Sequence, residues 1–495
     1  MNTFLNGLRE ADNYKLTENG GVAHKSTLSN VYDMFALCGA YRNRSDEDCI
    51  LMFKNALEEN KELALKCLFY LADCRGGQGE RRFFRVCFHW FCNYDFKTAS
   101  ALVKLIPIYR RWDDVLYSCL GTQVEEVAKS FIKEQLLLDV NSKTPSLLGK
   151  WMPSENASSA STKLMGKIMR EYLGMTHKQY RKTLSVLRQR INIVERLMSE
   201  NRWDEIEFDK IPSKAGLIYK NAFARRDMIA AKYEAFAKDE NTTVNADTLY
   251  PYEVVNKAIE SLVRSYGWSR HYELNLSEAD RLMLEKYWNN LKDYFNGKQA
   301  NILCVVDTSG SMHGTPINVA ISLGMYCAER AGGPFKDHYI SFSSRPQLIK
   351  VEGVDFVDKV QRIYRTNLCE NTNLTAVFDL LLKTAKKSKP EDIPETICVI
   401  SDMEIDYMSD WDEDTASTEM EKVRAKWAAA GYKVPRLVYW NVDARQNTIL
   451  DSGSDVTFVS GMSPAIFESV ITGKNGIDLM LDKLLSDRYK AITCE

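Results

Sequence analysis

The chain has 495 residues, 45% of them apolar and 27% charged, with a formal net charge of -2. That length exceeds one ordinary core and points to two to four domains, and the composition is that of a folded globular protein. A charge so close to zero excludes a globally basic nucleic-acid binder, so any basic surface has to be local.

No apolar run approaches the ~20 residues that span a bilayer. Residues Met1 to Glu10 lack the basic-then-apolar order of a signal peptide. The twelve cysteines form no Cys-x-x-Cys pair, and several (Cys67, Cys87, Cys304, Cys398) lie in apolar runs, where a free thiol acts as a small hydrophobe. This usage argues against zinc or a disulfide framework and for a reducing, cytoplasmic compartment.

In chain order, residues 1–30 read as a loosely structured segment with a turn at Asn19-Gly20-Gly21. From Val31 to about Phe295 apolar residues recur at helical spacing, as in Leu51-Phe53-Ala56-Leu57 and Phe83-Phe84-Cys87-Trp90. Breaks are short, so the helices must pack as antiparallel hairpins. Over the span 31–298 this predicts an α-helical repeat, a HEAT-like solenoid or ring, with no strict sequence period. Asn296-Gly297-Lys298 is a turn-rich boundary. Over 299–495, apolar runs near 302–306, 338–342, 348–351, 395–401, 435–441 and 455–459 read as strands. Helices are expected at 316–331, 374–385, 419–430 and 476–484. Alternating strand and helix predicts an α/β doubly wound sheet.

Two stretches in the helical half combine arginines with special backbone or acidic neighbours. Arg75-Gly76-Gly77-Gln78-Gly79-Glu80-Arg81-Arg82 offers either backbone amides to an anion or a plain inter-helix turn with solvated arginines. It lacks the preceding strand and Gly-Lys-Ser/Thr of a phosphate loop. In Arg110-Arg111-Trp112-Asp113-Asp114, an aspartate is expected to cap the next helix and Trp112 to pack between repeats.

The most basic segment is 161–200. Lys163, Lys167 and Arg170 share one helix face by three- and four-residue spacing, and Lys178, Arg181 and Lys182 repeat the pattern, with His177 and Tyr180 beside them and Arg188 and Arg190 downstream. A basic face with an aromatic suits a phosphate backbone. A solvated face balanced by acids elsewhere is the plainer alternative.

The chemistry-bearing stretch is Ile302-Leu303-Cys304-Val305-Val306, an apolar strand running into Asp307-Thr308-Ser309-Gly310-Ser311. One carboxylate and two hydroxyls at a parallel strand's carboxyl end are hard oxygen ligands of the kind magnesium or manganese takes. Downstream, Asn371-Thr372-Asn373 precedes a helix, and the apolar run Ile397-Cys398-Val399-Ile400 ends in Ser401-Asp402. The bland alternative is that these residues only cap helices.

The three loops in this order resemble the von Willebrand factor A domain and its metal-ion-dependent adhesion site. That resemblance implies Asp307, Ser309, Ser311, Thr372 and Asp402 as ligands of Mg²⁺ or Mn²⁺, and an acidic group of a protein partner gripped by the ion. A helical-repeat half followed by such a domain resembles the Ro ribonucleoproteins and their TROVE module. Gly174-Met175-Thr176-His177-Lys178-Gln179-Tyr180-Arg181 is similar to a Ro stretch that contributes to RNA binding. Ile211-Pro212-Ser213-Lys214-Ala215 and the Arg-Gly-Gly-x-Gly-Glu-Arg and Arg-Trp-Asp-Asp runs are closer to a family of unknown function found in plants, fungi, bacteria and large DNA viruses. Structured or single-stranded RNA is the partner this implies for Lys163, Lys167, Arg170, His177, Lys178, Arg181, Lys182, Arg188 and Arg190.

No catalytic constellation emerges. The six histidines are dispersed and His-Glu-x-x-His is absent. Asp307, Asp402 and Glu404 could serve metal-assisted phosphodiester hydrolysis, but a hydroxyl-rich ligand set favours holding a partner's carboxylate. The readings are therefore a non-catalytic RNA-binding scaffold whose A domain recruits a partner or, alternatively, a metal-dependent protein adaptor without nucleic acid.

Overall fold

The structure, a computed structural model, describes residues 9, 11–191, 193–263, 276–342, 345–366, 373–406, 418–451, 453 and 455–494. The chain opens with a short antiparallel hairpin, β1 (Tyr14–Leu16) and β2 (Val22–His24), closed by a turn in which Gly20 takes φ +85°. The hairpin is stitched to distant loops: Gly20 bridges to Asp406 and His24 to Ile449. This corrects the expectation of a loosely structured start, because its hydrogen-bond partners lie more than 380 residues away and no local pattern announces them.

Helices follow: α1 (Asn30–Leu37), α2 (Asp46–Glu59), α3 (Lys61–Ala72), α4 (Arg81–Tyr94), α5 (Phe96–Leu102), α6 (Ile106–Tyr109), α7 (Asp113–Cys119), α8 (Glu125–Asn141), α9 (Leu148–Trp151), α10 (Ala160–Tyr172), α11 (His177–Arg190), α12 (Val194–Ser199), α13 (Ser213–Arg225), α14 (Asp227–Lys238), α15 (Pro251–Val263) and α16 (Glu278–Asn289). Their starts follow capping chemistry. Ser45 and Asn60 cap α2 and α3, and Thr176 with Gln179 forms a capping box on α11. Among the described residues of 31–298 no strand occurs, as the helical spacing predicts.

The C-terminal part is a six-stranded sheet in the order β5-β4-β3-β6-β7-β8. Its strands are β3 (Ile302–Asp307), β4 (His338–Phe342), β5 (Gln347–Lys350), β6 (Thr396–Ser401), β7 (Arg436–Asn441) and β8 (Val456–Ser460). All neighbours are parallel except β4 and β5. Helices α17 (Thr315–Arg330), α18 (Phe356–Thr366), α19 (Leu374–Ala385), α20 (Glu419–Ala429), α21 (Phe467–Val470) and α22 (Gly476–Leu484) connect them. The expected strands and helices agree to within a residue or so at most ends, but α18 and the short α21 are not among them.

The sheet divides the molecule into two cores. Leu303, Val305, Ile397, Val399, Leu437 and Tyr439 enter a core shared with α1 to α11. Their neighbours Ile302, Cys304, Val306, Cys398, Ile400, Val438 and Trp440 enter a second core, shared with α12 to α18. Successive strand residues point to opposite faces, so a run of apolar residues is what a sheet covered on both sides requires. The helical half therefore begins against β8, where Phe458 N donates to Tyr32 Oη (2.9 Å), and returns against α17 and α18, where Arg281 grips Asp355 with two bonds of 2.8 Å. It also touches itself, since Tyr250 Oη donates to Gln78 O (3.1 Å).

Both arginine stretches are structural junctions. Asp73, fully buried, accepts from Arg488 Nη2 (2.7 Å) and Tyr489 Oη (2.9 Å), which ties the C-terminus to the α3–α4 loop. A Cβ on Gly77 would lie 1.8 Å from Tyr70 O, and Gly79 combines φ +63° with contact to Tyr250 Oη. The loop is thus an inter-helix turn. Arg81 and Arg82 are paired, not simply solvated: Arg81 with Asp113 and Asp114, and Arg82 with Asp46, while Arg75 is exposed.

Asp114 does not cap α7. It is fully buried and receives Arg85 Nε (2.6 Å), Arg110 Nε (3.1 Å) and Arg81 Nε (3.2 Å). Burial alone would raise its pKa, but Arg110, Arg85 and Arg81 hold it below the ordinary carboxylate range. Trp112 does pack across elements, stacking on Phe131 with centroids 5.2 Å apart.

Removing one partner of a buried ionic hub leaves the others uncompensated, at a cost of about 3–5 kcal/mol. Asp114→Asn is therefore expected to lower the urea midpoint of the whole chain markedly. A midpoint equal to wild type would contradict the hub.

Candidate functional site

β3 and β6 are parallel neighbours, and β4 lies on the other side of β3. The strand order thus reverses at β3, and the crevice between the carboxyl ends of β3 and β6 is where open α/β sheets place ligands. Asp307 ends β3, and Ser401 and Asp402 end β6. Asp307 and Asp402 are both fully buried.

Asp307 Oδ1 accepts from Ser309 N (2.9 Å) and Oδ2 from Ser401 Oγ (2.5 Å). The hydroxyls of Ser309 and Ser311 are 3.0 Å apart. Oxygens on adjacent corners of an octahedron of ~2.1 Å bonds lie about 3 Å apart, so this pair has the spacing of neighbouring magnesium ligands. Burial and then the facing charge of Asp402 push the Asp307 carboxyl up to about 7. Two such groups call for positive charge. Part of it comes from Arg445, whose Nη2 donates to Asp402 Oδ2 (2.7 Å) while Nη1 pairs with Glu18 of the hairpin (2.7 Å).

Thr372 lies outside the described residues. Next to it Asn373 caps α19, accepting from Ala376 N (2.8 Å), so the capping alternative holds at that position. Glu404 is fully buried and fastens the hairpin, accepting from Glu18 N (2.7 Å) and Thr448 Oγ1 (3.2 Å). Among the described residues no three His, Cys, Asp or Glu side chains converge as a metal-binding group. What converges is two carboxylates and two hydroxyls.

Sequence reasoning missed Asp443 and Arg445. Asp443 is buried, accepts from Asn43 Nδ2 (3.1 Å) and has its pKa raised, chiefly by burial. Both residues lie in the loop after β7, the next buried strand, as Asp402 lies after β6; position after an apolar run was the available signal.

The basic segment separates into two groups. Arg188, half-buried, donates to Gly149 O (3.0 Å), Met152 O (2.9 Å) and Ser154 Oγ (3.0 Å), and Arg190 donates to Val140 O (2.7 Å) and Ser142 O (3.1 Å) at the C-terminal end of α8. Arg170 and His177 share Glu155, at 2.7 and 2.9 Å. Tyr180 is buried, donating to Pro153 O (2.8 Å), and so offers no ring to a base. Lys163, Lys167, Lys178, Arg181 and Lys182 are exposed and have no ion pair among the described residues.

This division predicts different costs. Arg188→Ala loses three hydrogen bonds at roughly 0.5–1.5 kcal/mol each, whereas alanine at Lys163, Lys167, Lys178 or Lys182 stays within about 0.5 kcal/mol of wild type. Thermal melts compare them; equal melting temperatures for Arg188→Ala and Lys178→Ala would contradict the assignment.

Two family models match the chain, a domain of unknown function (DUF2828) over residues 128–298 and a domain of unknown function (DUF7788) over 301–484. An uncharacterized protein of Acanthamoeba polyphaga mimivirus is similar at 28% identity over 521 residues, covering 95% of this chain and 87% of that one. Among solved structures, the RO (RSR) protein of Deinococcus radiodurans is similar at 13% identity and a TM-score of 0.44, over 93% of this chain and 99% of that one.

Proposed function

We propose that the protein is a non-catalytic RNA-binding scaffold whose C-terminal domain, of the von Willebrand factor A type, holds a divalent cation and through it recruits an acidic group of a protein partner. The observation that carries the RNA half is the set of five exposed cations without ion partners on α10 and α11, in a chain whose other arginines are largely spent on internal pairs. Lys178, Arg181 and Lys182 occupy one turn of α11 and present three positive charges together.

The cation half is supported by Asp307, Ser309, Ser311 and Asp402 at the β3–β6 crevice, and the resemblance to the von Willebrand factor A domain adds Thr372, outside the described residues, as a fifth ligand. Mg²⁺ or Mn²⁺ suits an all-oxygen donor set. Held mainly by neutral hydroxyls, the ion keeps affinity for a further carboxylate. Arg445 fixes the orientation of Asp402, and Ser401 that of Asp307. On this reading the arrangement holds a partner's carboxylate and performs no chemistry of its own.

Two experiments test the halves separately. In calorimetric titration with Mg²⁺ and Mn²⁺, wild type binds and Asp307→Ala does not, while both keep the same circular dichroism; equal affinities would remove the cation reading. For RNA, neutralising phosphates releases counterions, so affinity falls steeply with salt. Changing Lys178, Arg181 and Lys182 together to Glu is expected to weaken RNA binding more than tenfold, at least ~1.4 kcal/mol. If wild type and triple variant bind alike, or neither binds at low salt, the protein is an adaptor without nucleic acid.

A further inference from the structure

Beside the exposed cations, α11 carries a second feature. Arg181, Ser185 and Arg188 stand at positions i, i+4 and i+7, one stripe of the helix. The stripe forms one wall of a cleft of about 360 Å³, and Ser154 lies on the opposite turn. Arg181 and Ser185 are exposed, with no side-chain partner among the described residues.

Arg188 is the informative member. Its guanidinium is half-buried and its three bonds go to neutral oxygens, two carbonyls and the Ser154 hydroxyl. Charges removed from water are ordinarily paired with an opposite charge. Among the described residues no carboxylate does so, and burial lowers the Arg188 pKa, opposed by the Tyr180 phenol. Two of its five N–H donors stay unspent. Ser154 Oγ, accepting from Arg188, keeps its own proton to donate.

Two of the three acids of the cleft are engaged in ion pairs. Glu155 is taken by Arg170 and His177, and Glu200 by Arg196 and Arg202. The third, Glu195, accepts from Tyr219 Oη at Oε1 (3.5 Å), while its Oε2 is buried and has no hydrogen-bond partner among the described residues. Among the other polar side chains of the lining, the guanidiniums of Arg181 and Arg188 and the hydroxyls of Ser154 and Ser185 form a donor set that suits a phosphate.

We propose that this cleft is a binding site for the terminal phosphate of a single-stranded RNA, gripped by Arg181 and Arg188 with hydrogen bonds from Ser154 and Ser185. A terminal phosphomonoester carries about -1.5 to -2 charges at neutral pH, against one for an internal phosphodiester, so two guanidiniums favour an end over the middle of a strand. The site rests on the RNA reading above and gives it a polarity: the chain end is anchored, and the strand runs over Lys178 and Lys182.

The test is fluorescence anisotropy with an internally labelled ten-nucleotide RNA bearing a 5′-phosphate, a 3′-phosphate or neither. One phosphorylated form is expected to bind at least tenfold more tightly than the unphosphorylated form. Arg181→Gln and Ser185→Asp, both at exposed positions, are expected to reduce that preference below twofold without changing the melt. Arg188→Lys, which keeps the charge but not the fork, is expected to weaken it partially. If all three RNAs bind alike, or the preference survives Ser185→Asp, the end site is overturned while the RNA surface stands. If no RNA binds but a phosphoserine peptide does, in a manner sensitive to Arg181→Gln, the cleft is a phosphate site for protein and both RNA readings fail.

Discussion

The constraint on which the molecule depends is that β3 is buried on both faces. Leu303 and Val305 point one way, Cys304 and Val306 the other, and each face is the floor of a different core. Fully burying such side chains is worth about 1.5–3 kcal/mol each, but only if something covers them. The helical half supplies much of that cover. Its first helices close against β8, its last against α17 and α18, and the chain passes from one core to the other between Leu187 and Val194. The helical half and the sheet are therefore not beads on a string; each completes the other's interior.

This has a consequence for the crevice at the carboxyl ends of β3 and β6. The hairpin at the start of the chain, the loop after β6 and the loop after β7 all meet there, through Glu18, Glu404 and Arg445. Two buried carboxylates facing one another are costly in a medium that screens poorly. The protein meets the cost with hydroxyls on Asp307 and one guanidinium on Asp402. Arg445 also reaches Glu18, so the electrostatic state of the crevice bears on how firmly the N-terminal hairpin is held. The basic helices α10 and α11 contribute side chains to the first core only, and lie far from this network in sequence.

Much of this was legible in residue order. The strands announced themselves because a sheet covered on both faces demands unbroken apolar runs, and the helices because Leu51, Phe53, Ala56 and Leu57 repeat with the helical period. The ends of β3 and β6 could be read as ligand positions because each run terminates in Asp or Ser-Asp. What escaped was whatever depends on long-range partners. The β1–β2 hairpin is short, and its bridges reach Asp406 and Ile449. In α18, Phe356, Val360 and Ile363 keep helical spacing, but Asp358, Lys359, Arg362 and Arg365 interrupt the run and hide it. Tyr180 and Arg188 looked like part of a nucleic-acid face, since periodicity gives the side of a helix but not which residues the neighbouring turn at 149–154 will cover. Asp114 looked like a cap because aspartate at a helix start usually is one; Arg81 and Arg85 of α4 and Arg110 from the turn before α7 claim it instead.

The claim at the centre of this account is that the β3–β6 crevice is a divalent-cation site. Anomalous diffraction from crystals of the full chain grown in Mn²⁺ tests it most directly. The account predicts a manganese peak within ~2.2 Å of Ser309 Oγ and Ser311 Oγ, beside Asp307. Crystals grown in Mn²⁺ with no peak there, and with Arg445 still the sole cation against Asp402, would contradict it.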